Sequence, residues 1–79
     1  MSWFNEFREE IAHDHRQIVD ARARREGGPW VFDRAADAVR RFYRDRISGF
    51  AACGSLSSAE RDDLLGLVEV LGRDDFPCR

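Results

Sequence analysis

The run Gly27-Gly28-Pro29 divides the chain between two segments of helical period, and no other feature limits its possible folds so strongly. Glycine accepts the left-handed backbone that closes a helix, and proline can begin a helix but not continue one. Two long amphipathic helices joined by so short a connection must turn back on each other, which predicts an antiparallel hairpin.

The first arm has Ser2 as its candidate N-cap and an apolar stripe of Phe4, Phe7, Ile11, Ile18 and Ala21. That spacing predicts a helix over about 3–25, and Arg22, Arg24 and Arg25 suit the negative end of its dipole. The second arm, over about 30–51, carries Phe32, Ala35, Ala36, Val39, Phe42, Tyr43, Ile47 and Phe50, close to half the helical circumference at 100° per residue. So wide a face needs two neighbours. The first arm is one, and the other is a third helix or another subunit. Ser57-Ser58-Ala59-Glu60 is a capping-box pattern and predicts a third helix over about 58–71, with Leu64, Leu67, Val68 and Leu71 inward and Gly72 at its end. The tail, residues 73–79, is polar and cannot be helical through Pro77. The whole reads as one all-α domain over residues 1–79, a three-helix fold built on a long helical hairpin.

A chain of 79 residues buries only about 60 % of the surface it exposes when unfolded, so it has room for one core and no deep cleft. Nine aromatics, spread from Trp3 to Phe76, argue against disorder. No apolar run approaches the roughly eighteen residues needed to span a bilayer, and the N-terminal segment is acidic at Glu6, Glu9 and Glu10; a cytoplasmic protein with no membrane partner is expected. Cys53 and Cys78 lack the spacing of a zinc site and read as free thiols.

His13-Asp14-His15 suggests a metal, but two histidines one residue apart on a helix point about 160° apart and cannot hold one ion. Cys53 lies in no recognised nucleophile pattern. Neither catalysis nor a metal or cofactor is expected. Asp14 is more informative, because it falls within the stripe of Phe7, Ile11 and Ile18 and needs a partner there. In a hairpin whose paired positions sum to about 55, Asp14 lies opposite Phe42 and Tyr43, with Arg46 a turn away. The spacing predicts a partly buried polar cluster of Asp14, His15, Tyr43 and Arg46. Such a cluster either fixes the register of the hairpin or recognises an anion through Arg46.

All thirteen basic residues are arginine, and the formal net charge is −2. Residues 16–46 hold nine arginines against five acids, whereas residues 51–79 hold six acids against three arginines. This polarity can steer a charged partner or pair two copies head to tail, although lysine-free composition also follows from GC-rich coding DNA. Arg34, Arg40, Arg41 and Arg44 lie opposite the apolar face of the second helix and could track a nucleic-acid backbone. Asp33, Asp37 and Asp45 share that side, however, and i,i+4 pairing of Asp37 with Arg41 and of Arg41 with Asp45 predicts a solvated, ion-paired surface instead. Nucleic acid is therefore the weaker partner. Trp3 and Trp30 are the aromatic candidates for an interface, or else lids on a small core.

The favoured role is a small protein–protein interaction module, an adaptor, accessory subunit or inhibitor, with a homodimer among its forms. One alternative is an inhibitor of the anti-CRISPR kind, in which Asp62, Asp63 and Glu69 of the third helix imitate nucleic-acid phosphates. Another is nucleic-acid binding through Arg40, Arg41 and Arg44.

Overall fold

A computed structural model describes residues 2–24 and 29–77, with the backbone alone for 29–32. Three helices make the fold: α1 (Trp3–Ala23), α2 (Pro29–Ala52) and α3 (Ser58–Val70). Each packs against the other two. The expected glycine cap of α1 and the turn at Gly27-Gly28 lie outside the described residues.

The core forms where the apolar stripes converge. Phe7, Ile11 and Ile18 come from α1, Ala36, Tyr43 and Ile47 from α2, Leu64 and Val68 from α3, and Leu56, Leu71 and Phe76 from the segments around it. Ile11, Ile47, Leu64, Val68 and Leu71 are wholly removed from water, each contributing on the order of 1.5–3 kcal/mol. Leu67 is only half-buried, so the inner stripe of α3 is narrower than its leucine spacing predicts.

Local chemistry sets the helix ends. Ser2 has the extended backbone of an N-cap but makes no side-chain cap bond. At α3 the capping box is complete: the Glu60 amide donates to Ser57 Oγ at 3.1 Å and the Ser57 amide to Glu60 Oε1 at 3.0 Å. α2 closes with a glycine that the hydrophobic pattern did not single out. Gly54 takes φ 80°, its amide donates to the Ala51 carbonyl, and the Ser55 amide reaches back to Phe50 at 2.9 Å. This paired return is the Schellman arrangement, and it turns the chain sharply enough for α3 to lie back along the hairpin.

Candidate interaction face

The groove between α1 and α2 has two sides. Over one side lies α3, which buries the aliphatic residues. On the other, Trp3 and Phe42 stay half-exposed, at 49 % and 52 % of their full accessibility.

Helical periodicity explains the open side. On α2, Phe42, Arg46 and Gly49 are turned roughly 60–120° from Tyr43 on the core-facing line, whereas Phe50 lies on that line and is partly buried against the core, and Cys53 follows just past the helix end. Trp3 packs edge-on against Phe50, with centroids 4.9 Å apart, and Phe7 meets the same ring at 5.1 Å. The Arg46 guanidinium lies 5.4 Å from the Phe42 ring centre, 5.8 Å from Phe7 and 5.9 Å from Phe50. These are cation–π distances. Arg46 makes no ion pair among the described residues. It stands as a ridge between two depressions, one lined by Glu9, Glu10, His13, Asp14, Phe42 and Tyr43, the other an apolar notch formed with Gly49, Phe50, Cys53 and Ser55.

The cluster expected around Asp14 divides in two. Tyr43 donates its hydroxyl proton to Asp14 Oδ2, joining the arms of the hairpin. Burial, and then this bond, pushes the Tyr43 hydroxyl well above its ordinary pKa, so it remains a donor. Arg46 borders the same depression. His15 is elsewhere, because one step along α1 rotates a side chain by 100° and carries it to the α3 side. There it is buried, stacks on Phe76 with centroids 3.9 Å apart, and accepts the Gly72 amide on Nδ1 at 2.8 Å.

His15 belongs to a cap assembled around the exit of α3 from the other two helices. Arg40 donates to the Leu71 carbonyl at 2.7 Å and Arg22 to the Gly72 carbonyl at 2.9 Å. Gly72 has φ +83°, and a methyl group there would come within 3.3 Å of the Ala36 side chain. Only glycine meets both the left-handed backbone and the close approach. Desolvation, with the Arg22 and Arg16 charges behind it, holds His15 below its ordinary pKa, so the ring is neutral and its Nδ1 lone pair is available. Phe76 closes over this ring, and the tail is therefore anchored at an apolar residue despite its polar composition.

The remaining candidates separate by what engages them. Arg40 is mostly buried and committed to Leu71 and to Asp37, which it meets at 2.7 Å. The i,i+4 pair expected between Asp37 and Arg41 is thus replaced by an i,i+3 pair, and Arg41 is exposed with no ion pair among the described residues. Arg44 pairs with Glu69 at 3.2 Å, tying the basic helix to the acidic one. Asp62 is held by its neighbour Arg61, while Asp63 is exposed. The Trp30 side chain and Cys78 lie outside the described residues; Cys53 is a free, exposed thiol. Among the described residues no three metal-ligating side chains converge, and no helix is long and apolar enough to cross a membrane.

Phe42 lies at one edge of the α2 stripe and stays uncovered because α3 packs over the other edge. The cap on α3 has no signal in the sequence beyond Gly72 itself. No family model, curated protein or solved structure matches the chain.

Proposed function

We propose that the protein is a small protein-binding module and that its contact surface is the open side of the α1/α2 groove. The observation that supports this is one face that carries half-exposed Trp3 and Phe42 together with Arg46, whose guanidinium lies over the Phe7, Phe42 and Phe50 rings and makes no ion pair among the described residues. Tryptophan and arginine dominate the energetics of protein interfaces, and aromatic side chains bring large area at little entropic cost. The charged surfaces offer less. Arg40 and Arg44 are engaged within the fold, which weakens a phosphate-tracking reading, and Glu69 and Asp62 are paired, which weakens phosphate mimicry.

The test is affinity capture from the native host with the wild-type chain and with Trp3→Ser/Phe42→Ser, both shown to melt alike. The double variant is expected to lose proteins that the wild type retains. Identical captured sets would remove the support for this face.

A further inference from the structure

Resting on that reading, we infer that the occupant of the open face is a second copy of this chain, laid across the groove about a two-fold axis running along it. Such an axis keeps each residue at its own level while placing α1 of one copy over α2 of the other, an isologous contact between two hairpins.

The levels are set by contacts within the chain. Trp3 is level with Phe50, and Asp14 with Tyr43. Glu10 lies between them, and it and Arg46 border the same depression. A level-preserving two-fold therefore sets Trp3 of each copy over the notch formed by Gly49, Phe50 and Cys53 of the other. It also brings Glu10 and Asp14 of each copy toward the Arg46 of the other. The face is complementary to itself, with carboxylates along the α1 edge and, at matching heights on the α2 edge, a guanidinium that makes no ion pair among the described residues. The notch is open at Gly49, where an added methyl group would meet nothing within 4 Å. The molecule measures 40 × 23 × 19 Å, and one of its long sides is of the order of the roughly 800 Å² per partner that stable interfaces bury.

Charge exchange in trans tests the arrangement. The wild-type chain is expected to sediment as a concentration-dependent dimer. Glu10→Arg and Arg46→Glu, each of which sets like charges against each other at both symmetric contacts, are each expected to weaken it by about tenfold or more. Mixing the two variants in equal amounts is expected to restore a dimer of one copy each, because both contacts are then oppositely charged. Gly49→Leu serves as the independent variant: it fills the notch from an open, helical position, so the fold is kept while dimerisation weakens. A wild-type chain that stays monomeric up to about 1 mM overturns the inference, as does a dimer indifferent to all three substitutions or a mixture that fails to re-form it. A monomer whose captured proteins are still lost on Trp3→Ser/Phe42→Ser overturns the second copy alone and leaves the protein-binding reading in place. A monomer with no such loss overturns both.

Discussion

Two of the sites described above combine arginines with aromatic side chains, and their outcomes are opposite. At the exit of α3, Arg22 and Arg40 donate to the Gly72 and Leu71 carbonyls, His15 takes the Gly72 amide, and Phe76 stacks on the imidazole. On the open face Arg46 lies among Phe7, Phe42 and Phe50, and no acceptor among the described residues engages it. The residue types are nearly the same. What differs is whether backbone groups are present that need them: a helix terminus leaves carbonyls and amides without partners, and side chains that satisfy those groups become part of the fold. A guanidinium that satisfies no internal acceptor leaves its donors to solvent and takes no part in closing the fold.

The two phenylalanines give the largest contrast. Phe76 is buried against His15 although it lies in the tail, and Phe42 is half-exposed although it lies in mid-helix. Phe76→Ala is expected to lower unfolding free energy by about 3 kcal/mol, as for other buried aromatic truncations. Phe42→Ala is expected to change it by less than about 1 kcal/mol. Urea unfolding of dilute protein measures both. Equal losses would mean that the open face is as integral to the fold as the cap.

The arginines sharpen the comparison at smaller scale. Arg40→Met retains much of the side-chain volume but removes the bond to the Leu71 carbonyl, and a loss of about 1.5–3 kcal/mol is expected, the range for hydrogen bonds with one charged partner. Arg46→Met should leave the dilute protein within about 0.5 kcal/mol of wild type. If Arg46→Met proved the more damaging, its contacts with the three rings would be structural rather than held for recognition.

The hairpin, the third helix and its capping box were legible because each depends on local pattern: Gly27-Gly28-Pro29 punctuates, the stripes repeat, and Ser57 finds Glu60 three residues on. The pairing of Asp14 with Tyr43 was legible too, since an antiparallel hairpin relates the positions of its two arms by simple addition. His15 does not join the Asp14 cluster, since a single step along α1 rotates the side chain by 100° and sets it against Gly72 and Phe76. The cap has no local signature in the sequence. Arg22, His15 and Arg40 are separated from Gly72 by dozens of residues, and only the packing of three helices brings them to one terminus. The open face depended on knowing which portion of the broad α2 stripe α3 would cover, and the apolar pattern is the same for covered and uncovered edges.

The last expected effect is the dependence of the cap on pH. His15 is neutral in the folded protein because burial and the nearby arginines oppose a second proton, and its Nδ1 must remain unprotonated to accept the Gly72 amide. In the unfolded chain the same imidazole titrates near 6.5. Above about pH 6.5 neither state takes up the proton at this group, and its contribution to stability is fully present. As pH falls below that value the unfolded chain binds the proton and the folded chain does not. Stability then declines with a limiting slope of about 1.4 kcal/mol per pH unit until the depressed folded pKa is reached. Urea midpoints at pH 7.5, 6.5 and 5.5 are expected to fall across the lower interval in the wild type. They should hold nearly constant in His15→Gln, whose side-chain carbonyl can accept a hydrogen bond but whose amide does not titrate. An undiminished slope in that variant would assign the acid sensitivity to groups outside the cap. The contrast between the two arginine–aromatic sites would then rest on the phenylalanine and arginine substitutions alone.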